Sequence, residues 1–217
     1  MKIQLALDRL EIQEAIQLTK LVEHSIDWIE VGTSLIKEFG MTSIKELKNA
    51  FPNKKIIADI KTIDNARYEF EMCFNAGADV ATVMGVSPLV TIDTCFEVAS
   101  QHNKQVMIDL LNTSEEQKSY LMKYKDAIFC DHVSKDEQEE NGKSQSGIRQ
   151  TEMFKKHFLK TAVAGGITTN TLKSLKARLN PDVVIIGSAI TKAGNPKEAA
   201  EKFKNLIVKL EGETVYE

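Results

Sequence analysis

The chain has 217 residues, 42% hydrophobic and 27% charged, with a formal net charge of −3. That is the composition of a soluble globular protein with room for one large domain or two small ones. The mild acidity excludes a general attraction to nucleic acid or anionic membrane, so any anionic ligand needs a local site.

No apolar run approaches the ~20 residues that span a bilayer. The opening MKIQLALDRLEIQEA meets charge at Asp8 and Arg9, too early for a signal peptide's apolar core. Cys73, Cys95 and Cys130 are odd in number, far apart and without a C-x-x-C pair. They are expected to be buried thiols in a reducing cytoplasm.

In chain order, eight short apolar runs recur: IQLALD (3–8), WIEVG (28–32), KIIADIK (55–61), VATVMG (80–85), QVMIDL (105–110), AIFCDH (127–132), TAVAGG (161–166) and VVIIGS (183–188). They are brief and rich in Val and Ile, which suits strands buried on both faces of a parallel sheet. Amphipathic helical stretches separate them. Ile12, Ala15, Ile16 and Val22 make one stripe near the start, and Ala199, Phe203, Leu206, Ile207 and Leu210 make another near the end. Pro88, Pro181 and Pro196 fall at joints. Eight strand–helix units with no break in composition predict a single-domain (β/α)8 TIM barrel over 1–217, below the typical ~250 residues. A doubly wound open sheet uses the same units and is the alternative. The polar stretch SKDEQEENGKSQSG (134–147) is expected to be a solvated loop, with a lid over the site as the alternative.

In a barrel, active sites sit at the C-terminal ends of the strands. Here those ends carry Asp8, Glu30, Asp59 with Lys61, Asp109, His132, Gly165-Gly166 and Gly187-Ser188. Side chains alternate along a strand, which puts Asp59 and Lys61 on one face. Burying such charges costs several kcal/mol unless they are paired, so the pattern points to a polar active site; an ion-pair ring closing the barrel mouth is the alternative. The two glycine turns follow strands 7 and 8, where barrels often hold a phosphate, and glycine lets backbone N–H groups approach an anion. Glu30 and Asp59 offer hard oxygens on neighbouring strands, as Mg2+ requires; the rival is a simple Glu30–Lys61 ion pair. No His or Cys cluster suggests zinc. His24, His102 and His157 read as structural, whereas His132 closes a strand at the active end.

ADIKTID (58–64) matches the D-x-K-x-x-D motif of the orotidine 5'-phosphate decarboxylase superfamily. With QLALD (4–8), IEVGT (29–33), AGADVATVMG (76–85), VAGGI (163–167) and PDVVIIGSAIT (181–191), the chain most resembles the 3-hexulose-6-phosphate synthase branch. Glu30 stands where the metal-free decarboxylases carry a lysine, and the metal-binding histidines of the ribulose-phosphate 3-epimerases are missing. The 3-keto-L-gulonate-6-phosphate decarboxylases differ at the places held here by Asp109, DHVSKD (131–136) and Ser188. The chain departs from the synthase pattern at Asn65-Ala66, Pro88 and Val133-Ser134.

The resemblance implies a reversible aldol reaction between D-ribulose 5-phosphate and formaldehyde through an enediolate. It implies Mg2+ (or Mn2+) on Glu30 and Asp59, and Lys61 beside the enediolate, kept protonated by Asp59 and Asp64. His132 would move the proton, with Asp8 and Asp109 on sugar hydroxyls. It also implies a homodimer in which Asp64 reaches the neighbouring subunit's site. A decarboxylating lyase of the 3-keto-L-gulonate 6-phosphate type and a phosphosugar-binding barrel without turnover are the alternatives.

Overall fold

The computed structural model describes residues 1–140 and 152–213. Eight parallel strands close into one barrel in sequence order: β1 Lys2–Leu7, β2 Trp28–Val31, β3 Lys55–Thr62, β4 Val80–Met84, β5 Gln105–Asp109, β6 Ile128–His132, β7 Lys160–Ala164 and β8 Val183–Ile186. Closure through β1 and β8 decides for the barrel over the open sheet. Each strand lies within two residues of its expected bounds.

The helices are α1 Ile12–Val22, α2 Thr33–Phe39, α3 Met41–Ala50, α4 Ala66–Asn75, α5 Leu89–Gln101, α6 Glu115–Leu121, α7 Lys135–Glu140, α8 Glu152–Lys156, α9 Thr169–Leu179, α10 Ser188–Thr191 and α11 Pro196–Glu213. Local signals start them: a capping box between Glu11 and Glu14 opens α1, the Ser114 hydroxyl caps α6, and Pro196 takes the first position of α11. None of these helices is long and apolar enough to cross a membrane.

Strand alternation divides the apolar residues between two cores. Inside the barrel, Ile57, Val80, Met107, Ile128, Cys130, Ala162, Val183 and Ile185 pack together. The outward residues, such as Leu5, Ile29, Ile56, Ala81, Ile108, Phe129 and Val184, meet the helices. α1 buries Ala15, Ile16 and Val22 as its stripe predicts. In α11, Phe203, Leu206 and Ile207 meet the core as the stripe predicts, with Ala200 buried in place of Ala199.

At the N-terminal end, three aspartates lace neighbouring strands together. The Asp27, Asp79 and Asp182 carboxylates accept the Ile3, Ile56 and Thr161 backbone N–H groups, each at 2.8–3.0 Å. Each aspartate's own N–H returns to the carbonyl of that same residue. This end is built for stability and leaves the opposite end for chemistry.

The expected loop at 134–147 is corrected in its described part, because Lys135–Glu140 forms α7. The Ser134 hydroxyl accepts the Glu137 N–H at 3.1 Å, and Asp136 and Glu137 lie in the first turn. The cap and the helix dipole both favour a helix there despite the polar composition. Positions 141–147 lie outside the described residues.

Candidate active site

The third strand supplies the centre. Its pairing with β4 runs Ala58↔Ala81 and then Thr62↔Val83, so Asp59, Ile60 and Lys61 stand against the single residue Thr82. The excess bulges the strand, and Lys61 takes a left-handed backbone with φ 52°. Simple alternation therefore does not describe this strand end: the bulge and that φ set where the Lys61 side chain points.

Lys61 Nζ lies 3.0 Å from Asp59 Oδ2 and 2.8 Å from Asp109 Oδ2. Within one chain the second anion beside Lys61 is thus Asp109 from β5; the resemblance implied Asp64, reaching in from a neighbouring subunit. Asp109 Oδ2 also meets His132 Nδ1 at 2.8 Å, and its Oδ1 accepts the Leu111 N–H at 2.9 Å. Thr33 and Thr82 hydroxyls donate to the two Asp59 oxygens at 2.7 and 3.0 Å. Burial works against the Lys61 charge, but Asp59 and Asp109 outweigh it and raise its pKa. Burial likewise works against the Asp109 charge, and the His132 and Lys61 contacts outweigh it and hold the carboxyl well below the usual range.

Glu30 projects into the same cavity from β2 and accepts a hydrogen bond from the Gln4 side-chain amide. Burial, with the nearby Asp59 charge, pushes its pKa up to about 8. Its partner is Gln4 rather than Lys61, so the simple Glu30–Lys61 pair does not form. Among the described residues, no group of three or more His, Cys, Asp or Glu side chains is placed to hold a metal ion by itself. Two buried carboxylates with too little positive charge between them are the donor set that Mg2+ uses when substrate and water complete its shell.

The cavity, about 710 Å3, is lined by Asp8, Glu30, Asp59, Lys61, Asp109, His132, Gly165, Gly166, Gly187 and Ser188. Ten of the eleven residues singled out from the sequence thus meet at one mouth. Gly165 has φ 101°, and a Cβ there would come within 2.8 Å of the Val133 carbonyl; only glycine lets the β7 turn pass under α7. Ser34 donates through its hydroxyl to Asp8 at 2.8 Å. The eleventh, Asp64, is exposed and outside this cavity, its carboxylate accepting the Asn65 N–H at 2.7 Å. His24, His102 and His157 also lie away from the cavity.

Sequence reasoning missed Gln4, Thr33 and Thr82, which hold the carboxylates, and Arg9 and Lys192, cations that line the mouth. Gln4 alone left a signal: an amide inside an apolar strand run needs a partner. All three cysteines are buried, but Cys130 also lines the cavity, with burial and then the Asp109 and Glu30 charges pushing its thiol pKa well up.

A closed barrel with an acid–lysine–acid–histidine chain at its C-terminal mouth defines a (β/α)8-barrel enzyme. The model for the orotidine 5'-phosphate decarboxylase / HUMPS family matches residues 1–203, and the chain belongs to that family. It is 38% identical to 3-hexulose-6-phosphate synthase of Bacillus subtilis (strain 168) over 212 residues, 96% of this chain and 99% of that protein. Among solved structures it is similar to 3-hexulose-6-phosphate synthase from Salmonella typhimurium, with TM-score 0.87 and 34% identity, covering 97% of this chain and 100% of that one. It is also similar to 3-keto-L-gulonate-6-phosphate decarboxylase from Vibrio cholerae, with TM-score 0.85 and 25% identity over 96% of this chain and 98% of that one.

Proposed function

We propose that this enzyme joins D-ribulose 5-phosphate and formaldehyde in a reversible aldol reaction to give D-arabino-3-hexulose 6-phosphate. The observation that carries this reading is the Asp109 carboxylate shared by Lys61 and His132. It places a fixed positive charge and a proton carrier side by side at one end of a cavity whose other rim has glycine turns suited to a phosphate. Similarity to the synthase relatives favours this reaction among those such a centre serves.

The ketose phosphate lies against the backbone of Gly165, Gly166, Gly187 and Ser188, with Arg9 and Lys192 adding positive charge. Asp8 accepts sugar hydroxyls. His132 holds its Nδ1–H toward Asp109, which leaves Nε2 to take the proton from carbon 1. The Lys61 ammonium offsets the negative charge that develops on the enediolate oxygens. Carbon 1 then attacks the formaldehyde carbon, and the new alkoxide takes up a proton to become the hydroxymethyl group. Glu30 and Asp59 hold Mg2+ (or Mn2+), which supplies further positive charge to those oxygens when bound.

The homodimer is supported by the surface around Asp64. Ile63, Tyr68 and Val90 are 55%, 61% and 71% exposed, an apolar surface on the adjacent connections after β3 and β4 that self-association would cover. Asp64 at its edge would then serve the neighbour's site. The buried thiols suit a reducing compartment, and on that ground we place the enzyme in the cytoplasm.

The test supplies ribulose 5-phosphate, formaldehyde and Mg2+ and follows formaldehyde. Stoichiometric loss with a new hexulose phosphate is expected. The similarity to the V. cholerae decarboxylase favours a second reading, a carboxy-lyase. Formaldehyde left untouched, with CO2 released from a β-keto acid sugar phosphate, would establish it instead.

A further inference from the structure

The bulge in β3 leaves a backbone donor that ordinary strand pairing cannot satisfy. Where Asp59, Ile60 and Lys61 face Thr82 alone, the Lys61 N–H finds no ladder carbonyl. It donates instead to the Thr82 hydroxyl oxygen at 2.9 Å. The same hydroxyl donates to Asp59 Oδ1 at 3.0 Å, and Asp59 in turn receives the Lys61 ammonium. A ring of hydrogen bonds therefore runs from the Lys61 backbone through Thr82 and Asp59 to the Lys61 side chain.

Thr82 is 2% exposed, so no water substitutes freely for it. A lysine at φ 52° is held in a conformation that its surroundings must over-determine. A hydroxyl that both accepts and donates meets that requirement; an isosteric valine meets neither half.

We infer that Thr82 is a positioning residue for the reaction: its hydroxyl holds Lys61 in the left-handed conformation that aims the ammonium at the developing negative charge, and turns Asp59 to face it. The inference rests on the enediolate chemistry proposed above. Without the hydroxyl, the Lys61 N–H and Asp59 Oδ1 each lose a buried partner. The strand end then relaxes and carries the ammonium away from the reacting oxygens.

The test compares wild type, Thr82→Val and Thr82→Ser in two measurements: exchange of the carbon 1 proton of ribulose 5-phosphate with D2O, and thermal unfolding. Thr82→Val is expected to lower the exchange rate per folded molecule on the order of 10²-fold, the usual consequence of misplacing a group by about an ångström. Its KM for the sugar phosphate should stay near the wild-type value, because the glycine turns are untouched. Thr82→Ser, which keeps the hydroxyl, should recover most of the rate. If Thr82→Val does not fold, Thr82→Ala takes its place with the same expectation. A hydroxyl-free variant that is less stable but exchanges at the wild-type rate overturns the inference, as does a serine variant no better than valine. Wild-type protein that exchanges nothing overturns the enediolate reading itself, a separate outcome.

Discussion

His132 Nδ1 lies 2.8 Å from Asp109 Oδ2, and that oxygen also accepts from Lys61 Nζ at 2.8 Å. One carboxylate thus sets the direction of the imidazole and balances the charge of the ammonium. With Nδ1 committed to Asp109, the ring presents Nε2 to the substrate.

Asp109→Asn keeps the shape and removes the charge. Exchange of the carbon 1 proton in D2O should fall roughly 10²- to 10⁴-fold, as it should for His132→Ala, the range for a positioned acid–base group. The double variant should lose little more than either single one, because the two groups act as a unit. NMR of the exchange checks this; full additivity would show that Asp109 and His132 act independently.

Metal affinity should depend on pH through Glu30. Its pKa, raised to about 8 by burial and by Asp59, means that the carboxyl must lose a proton to bind Mg2+ below that pH. Calorimetry should show affinity rising up to about tenfold per pH unit toward 8 and levelling above it. Glu30→Gln should flatten the curve and weaken binding. The sign for folding is opposite: a raised carboxyl pKa stabilises the metal-free fold most below the unfolded value of 4.5, and that contribution is lost as pH rises through about 8. Equal Mg2+ affinity in wild type and Glu30→Gln at about pH 9 would remove Glu30 as a ligand.

The shared-site dimer makes a prediction about mixtures. Asp64→Asn and Lys61→Ala chains, each inactive alone, should regain activity when combined, because a hybrid dimer holds one site with both native groups. Mass spectrometry confirms the hybrid. No recovery would place Asp64 and Lys61 in the service of one subunit's site.

Asp79 should govern stability and spare catalysis. Its carboxylate bonds Lys48 at 2.8 Å, Lys104 at 2.7 Å and the Ile56 N–H at 3.0 Å. Burial opposes ionisation, but these bonds outweigh it and lower the pKa. The depressed value stabilises the fold above the ordinary carboxyl pKa of about 3.8, and that contribution is lost as acid takes the pH down through the folded value. Asp79→Ala leaves the Ile56 N–H without its partner and should cost about 1–3 kcal/mol in urea unfolding, with unchanged turnover per folded molecule.

The chain's own order determined the eight strands, the barrel and the end at which polar groups collect, because alternation, β-branched runs and strand-end residues are local properties of a segment. It also made Glu30, Asp59, Lys61, Asp109 and His132 visible, since each closes a strand at the same end. Tertiary structure alone decided which of them touch. Lys61 meets Asp109, 48 residues away, rather than Asp64 three residues on; Glu30 is held by Gln4, 26 residues before it; and Thr82 faces three residues of β3. Those contacts follow from strand register, a bulge and barrel closure. Periodicity along one strand carries no information about its neighbour's register, so only the folded barrel could set the partners.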